Sequence, residues 1–226
     1  ASNGDSSQTA SQEFTAVVNQ HYGVTLSVDS DSKENKPGED VDFIFNITNT
    51  GNGQDNYILS VSGPAVWNPV LSQNVSSINA VSVSQFTLTV SIPSDRDAGA
   101  SSGDIVVTVV SSDGVSTANS TVSVMSSQVY DIGLDHVSGS DGAVSVTQET
   151  QILLKLNVTN NGNGIDTLNL TMTNAPSWAS LGADTMQIGR GQTQALTITL
   201  SPDAAALSGR DYTCLLYTSP SPRDSA

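Results

Sequence analysis

The chain says the same thing twice. Residues 45–67 read FNITNTGNGQDNYILSVSGPAVW, and residues 156–178 read LNVTNNGNGIDTLNLTMTNAPSW. At one constant offset Asn46, Asn49, Gly51, Asn52, Gly53, Asp55 and Trp67 recur as Asn157, Asn160, Gly162, Asn163, Gly164, Asp166 and Trp178. A repeat of about 110 residues is the size of one β-sandwich module, so the sequence predicts an array and not one large fold. Modules in series commonly hold, space or adhere.

Within each copy the apolar residues alternate with period two, the spacing of a half-buried strand. Val24, Leu26 and Val28 predict a first strand. Val41, Phe43, Phe45 and Ile47 predict a second, with Asp42, Asn46 and Thr48 on its other face. Tyr57, Leu59 and Val61 predict its partner, and further strands are expected over 81–92, 104–111 and 117–124. The second copy repeats the scheme with Ile152, Leu154, Leu156 and Val158, then Leu168, Leu170 and Met172, then Leu196, Ile198 and Leu200. About seven short strands per copy with regular turn signals make each an immunoglobulin-like two-sheet sandwich. The fold class is all-β, in tandem. In the loops, Asn49, Gly51 and Asp55, with Asn160, Gly162 and Asp166, read as turn chemistry: Asn and Asp bond to backbone N–H groups, and Gly takes the left-handed conformation.

Composition narrows the partners. Against 22 acidic residues stand 7 Lys plus Arg, for a formal charge of −15, although only 13% of residues are charged. Without a basic patch there is nothing to displace counterions from phosphates, which argues against nucleic acid and anionic lipid. No apolar run approaches the roughly 20 residues that span a bilayer, so direct membrane insertion of this segment is not expected. A Ser/Thr/Asn-rich acidic β surface suits an extracellular or cell-surface location. The sequons at Asn46, Asn74, Asn119, Asn157 and Asn169 are candidate glycosylation sites in a secretory host.

The ends read differently from the middle. Residues 214–224, CLLYTSPSPRD, resemble a translated transposase-type sequencing adaptor, so 214–226 is expected to be an artefact and the only cysteine, Cys214, to belong to it. The second sandwich is then incomplete, ending at Thr213 before its closing strands. The β-prone stretch 214–218 is expected to fill the vacant slot by pattern completion alone. The residues before Tyr22 mirror those before Tyr130, so 1–18 reads as the closing strand of a preceding repeat. The expected boundaries are 19–124 for the first repeat, 125–129 for the linker and 130–213 for the second. A linker this short limits bending and gives a semi-rigid rod.

A catalytic site is not expected. His21 and His136 do not occupy equivalent positions. No Gly-x-Ser-x-Gly, His-Glu-x-x-His or phosphate loop occurs, and no acid pair stands out, so no catalytic or cofactor-binding residues are assigned. Calcium is the sharpest alternative. Asp29-x-Asp31, Glu39-Asp40-x-Asp42 and Asp95-x-Asp97 place carboxylates at short spacing, as hard cations prefer. Asp29, Asp31, Asp95 and Asp97 are the calcium candidates, weighed against solvated turn acids; no full EF-hand loop is present. Trp67 and Trp178 could stack on sugar, but one Trp per repeat with few other aromatics reads better as a plug near the sandwich end.

NTGNGQDNYILSVSGPAVW and NNGNGIDTLNLTMTNAPSW resemble the signature of the NEW3, or α-galactosidase-associated, modules, with the CARDB adhesion-type modules as relatives. Val90-Ser91-Ile92-Pro93 and Leu200-Ser201-Pro202 fit the later part of that pattern. The resemblance covers 22–124 fully and 130–213 in part. It implies an immunoglobulin-like fold in archaeal or bacterial surface proteins, used as a spacer or as an accessory module beside a hydrolase. The implied partners are other domains of the same chain, with carbohydrate or cell-surface proteins as the adhesive alternative.

Overall fold

Side-chain alternation decides which face of each strand turns inward. Strand β3 (Asp40–Asn49) buries Val41, Phe43, Phe45, Ile47 and Asn49 and turns the intervening residues outward. The structure is a computed structural model that describes residues 10–136 and 144–220. In the first repeat β1 (Val24–Val28), β3, β7 (Val83–Ser91) and β5 (Val70–Leu71) form one sheet, in the order β1-β3-β7-β5. The second sheet has the order β2-β9-β8-β4-β6, from β2 (Ser32–Asn35), β9 (Thr117–Ser126), β8 (Ile105–Ser111), β4 (Asp55–Ser62) and β6 (Val75–Ile78).

Strand β2 is a feature the periodicity did not reveal. The chain leaves β3 after Val28 and crosses to the other sheet, where β2 pairs parallel with β9. At the crossing Asp29 N–H donates to the Ile44 carbonyl, and Ile44 N–H donates to Asp29 Oδ1, both at 3.0 Å. A carboxylate oxygen thus takes the place of a ladder carbonyl, and Ser123 N–H bonds to the Asp31 carbonyl where the new ladder begins.

The second repeat follows the same plan. Strands β10 (Ile132–His136), β11 (Ile152–Asn160), β15 (Thr193–Leu200) and β13 (Ala179–Leu181) form the sheet β10-β11-β15-β13. Opposite lie β14 (Thr185–Ile188), β12 (Asp166–Thr173) and β16 (Leu215–Pro220). Strand β16 runs antiparallel to β12, as β8 does to β4. The adaptor-like residues therefore fill the open slot, the outcome expected of a β-prone string beside an unpaired edge.

Two separate cores result. The first joins Phe43, Phe45, Tyr57, Phe86, Leu88 and Val107 with Trp67, which is only 3% exposed; Phe45 stacks on Phe86 at 5.1 Å. The second joins Leu156, Val158, Leu168, Leu170, Ile188, Leu196, Ile198 and Leu200. Trp178 packs against its edge and meets Tyr212 edge-on at 5.1 Å. A ring as buried as Trp67 has no face to offer a sugar. The core reading of that residue fits the structure.

Residues 10–18 are exposed and lie in no strand, and 1–9 lie outside the described residues. Strand β9 runs to Ser126, so the connection between the repeats is 127–131, later than 125–129. The motif glycines also work differently from the expectation. Left-handed glycines occur at Gly38, Gly99, Gly103, Gly114, Gly191 and Gly209, whereas Gly51, Gly53, Gly162 and Gly164 are not among them.

Candidate functional site

What the repeated Asn-x-Gly-Asn-Gly motif does becomes clear from its neighbours. In the first repeat Asn49, 1% exposed, folds the loop back on itself. Its Oδ1 accepts from Gly51 N–H at 2.8 Å, while its Nδ2 donates to the carbonyls of Gly53 and Ile78 at 2.9 and 3.0 Å. Asn160 repeats all three bonds, with Gly162, Gly164 and Ile188, at 2.8, 2.8 and 2.9 Å. A buried amide with its hydrogen bonds made is a fixed platform.

The second Asn of the motif faces outward, onto the incoming chain. His21 N–H donates to Asn52 Oδ1 at 2.7 Å, and Asn52 Nδ2 donates to the Asn19 carbonyl at 3.0 Å. In the second repeat Val129 N–H donates to Asn163 Oδ1 at 2.7 Å, and Asn163 Nδ2 donates to the Ser127 carbonyl at 2.9 Å. Each Asn thus reads one backbone N–H and one backbone C=O of the segment that enters its sandwich. Gln20 and Gln128 lock the same segments from the other side, donating to the carbonyls of Gln54 and Ile165 at 3.0 and 3.2 Å. Gln128 also donates to Asp166 Oδ1 at 2.5 Å.

The glycines are there for room. A Cβ on Gly51 would stand 2.4 Å from the His21 carbonyl oxygen, and one on Gly162 would stand 2.3 Å from that of Val129. A Cβ on Gly53 or Gly164 would press on the Gln20 side chain or on the Ala98 methyl, each at 2.9 Å. Close backbone approach is a second reason for glycine besides left-handed φ. The motif is a clasp for the linker.

At the inner junction the first repeat adds a contact of its own. Its β7–β8 loop lies on the second repeat: Ala98 N–H donates to the Asn163 carbonyl at 2.9 Å, and Asn163 Nδ2 also reaches the Arg96 carbonyl at 3.3 Å. From the β14–β15 turn Arg190 donates to the Asp95 carbonyl at 2.9 Å and forms an ion pair with Asp97.

The calcium candidates therefore have other company. Asp95 and Asp97 lie in the loop that meets Arg190. Asp29 takes Lys33 Nζ at 2.6 Å, and this bond, foremost, together with the Ile44 N–H, outweighs desolvation and holds its carboxyl below the usual range. Asp31 is exposed at the sheet crossing. Among the described residues no three His, Cys, Asp or Glu side chains gather as a metal would need.

Asp55, read from sequence as turn chemistry, is a buried pin. Burial pushes its pKa up, but bonds from the Ser111 and Ser112 hydroxyls and the Ser112 and Asn56 N–H groups more than offset that, and the net shift is downward. Next to it Tyr57 donates to the Gly23 carbonyl at 3.0 Å; burial, then the Asp55 charge, raises its pKa to about 12. Of the sequon asparagines, Asn74, Asn119 and Asn169 are exposed, while Asn46 and Asn157 are half-buried on outer sheet faces.

No family model and no curated protein sequence matches the chain. Among solved structures it is similar to a protein of unknown function from Porphyromonas gingivalis W83, at 16% identity over 78% of this chain and 83% of that one, with a TM-score of 0.35. The YadV chaperone gives 13% identity, 85% and 91% coverage and a TM-score of 0.34. The ASH/PapD-like domain of human CEP192 gives 12%, 53%, 96% and 0.33.

Proposed function

We propose that the chain is a non-catalytic spacer of a larger cell-surface or secreted protein, built from tandem modules of the NEW3 or CARDB type, and that the clasp is its working part. A spacer needs joints that transmit orientation. The observation that carries this reading is that each repeat grips its incoming segment through the same Asn and Gln bonds, at Asn52 and Gln20 and again at Asn163 and Gln128. A linker held on both backbone polarities loses most of its freedom to swivel. The acidic surface, at −15 overall, keeps neighbouring copies apart in solution.

The rival reading is an accessory module that binds carbohydrate or a surface protein. It lacks a platform at Trp67, which is buried. Small-angle scattering tests the spacer reading. An extended particle, unchanged in maximum dimension by Asn163-independent surface substitutions, supports it; a collapsed or widely bending pair of repeats contradicts it.

A further inference from the structure

The clasp is built from a dipeptide that can unmake itself. Asn52-Gly53 and Asn163-Gly164 occupy matching places in the two repeats. In an Asn-Gly pair the side-chain amide meets an uncrowded backbone nitrogen, because glycine has no Cβ, and such asparagines cyclise readily. The joint nevertheless requires both residues. Asn163 takes the Val129 N–H on Oδ1 and gives Nδ2 to the Ser127 carbonyl, a pairing that an ionised Asp, which only accepts, cannot make. A Cβ on Gly164 would stand 2.9 Å from the Ala98 methyl and 3.2 Å from the Gln128 amide.

Cyclisation needs a freedom that the closed joint withholds. Asn163 is 7% exposed. Its Nδ2 also reaches the Arg96 carbonyl at 3.3 Å and Ser126 Oγ at 3.4 Å, and its own carbonyl accepts from Ala98 N–H at 2.9 Å. Each of these partners belongs to the first repeat or to the linker, so the side chain is released only when the joint opens. Asn161-Gly162, in the same loop, is held differently. Asn161 is exposed, but Gly162 N–H is donated at 2.8 Å to Oδ1 of the buried Asn160, whose other partners are Gly164 and Ile188. Here the attacking nitrogen is engaged, and the second repeat's own fold engages it.

We infer that Asn163-Gly164 is a deamidation site gated by the joint, shut while the two repeats are clasped and open to conversion when they part. In the open joint the Gly164 nitrogen gives up its proton and bonds to Asn163 Cγ. The Cγ–Nδ2 bond breaks and ammonia leaves; water then opens the imide ring to an aspartate or an isoaspartate. The product has lost the donor for the Ser127 and Arg96 carbonyls and sets a carboxylate against them, beside a loop that already carries Asp95 and Asp97. Burying an unpaired charge is costly, so a converted joint does not reclose, and each lasting opening leaves a permanent mark. This rests on the clasp closing the joint, as the spacer reading holds.

Peptide mapping by mass spectrometry of the full chain, kept in mildly alkaline buffer, tests it by following both asparagines in time. Asn163 and Asn161 are expected to keep their amides in the folded chain and to convert together in urea. Gln128→Ala combined with Arg190→Ala removes locks on the linker and on the β7–β8 loop while sparing every bond of Asn163 and Asn160. In that variant Asn163 is expected to convert about tenfold faster or more, the factor by which several lost hydrogen bonds raise the open population, with Asn161 unchanged. Asn163 converting as fast in the folded chain as in urea, no acceleration in the variant, or Asn161 accelerating alongside it each overturns the inference. Asn163→Asp, the product made directly, is expected to keep both sandwiches folded and to widen the spread of dimensions in small-angle scattering; repeats held as tightly as in the unaltered chain would also overturn it. An extended and rigid unaltered chain leaves the spacer reading standing in every one of these cases.

Discussion

Gly162→Ala separates room from φ as the reason for the motif glycine. Gly162 does not have a left-handed backbone, so alanine meets no conformational penalty there. In an open site such a change would stabilise by about 0.4–1 kcal/mol through the unfolded chain. Here the new Cβ stands 2.3 Å from the Val129 oxygen and 3.0 Å from Asn160 Oδ1, both fixed by hydrogen bonds. The linker has to withdraw by roughly 1 Å, because contacts under about 3.2 Å between carbon and oxygen are repulsive. Withdrawal breaks the Val129–Asn163 pair, at 2.7 and 3.3 Å, worth about 1 kcal/mol per bond. Overpacking adds about 1 kcal/mol or more. The net is about 2 kcal/mol of destabilisation, or roughly 8–16 °C in the melting of a module this size. Calorimetry of the full chain reads it, with Gly51→Ala as the matched change in the first repeat, where the Cβ stands 2.4 Å from the His21 oxygen. A melting temperature that is unchanged or raised in the second repeat refutes the close-approach argument.

Other changes separate the remaining contributions. Trp67→Ala removes a ring only 3% exposed and is expected to cost about 3–5 kcal/mol in chemical denaturation, with the half-buried Trp178→Ala costing less. Arg190→Ala removes an ion pair whose partners are 40% and 72% exposed, so its effect on stability stays below about 1 kcal/mol and fades with salt, as a double-mutant cycle with Asp97 would read. Asp55 has a lowered pKa when folded, so its stabilisation is present above the unfolded value near 4 and is lost as pH falls through the lower folded value. Urea midpoints from pH 2 to 7 should fall on the acid side in the parent and fall less in Asp55→Asn. Tyr57 is raised to about 12, so its neutral form is favoured in the fold and that contribution disappears as pH climbs from about 10 to 12; ultraviolet titration should show Tyr57 ionising late, together with unfolding, in a step that Tyr57→Phe removes.

Much of the fold was legible because period-two alternation states directly which residues turn inward. Val41, Phe43, Phe45 and Ile47 occupy the core as the pattern says. Strand β2 was not legible, since Ser32–Asn35 has no apolar alternation and gains its ladder from β9 far along the chain. The repeated Asn and Gly positions stood out, but their purpose did not. Reading Gly51 as a left-handed residue follows local turn rules, whereas the His21 oxygen that excludes a Cβ is brought there by tertiary structure. A signal for the clasp was nevertheless available: Asn19-Gln20-His21-Tyr22 and Ser127-Gln128-Val129-Tyr130 mirror each other just ahead of each sandwich, and both glutamines lock the joint. Arg190 could not be found from spacing, because its partners come from the other repeat.

Residual dipolar couplings measured for the amides of both sandwiches in one weakly aligned sample test the clasped joint most directly. A joint held by Asn163 and Gln128 predicts one shared alignment tensor for the two repeats, equal in magnitude and orientation, which splits into two in Asn163→Ala. Two tensors of clearly different magnitude in the unaltered chain would mean that the repeats turn independently, and the clasp would then be a local loop contact with no part in spacing.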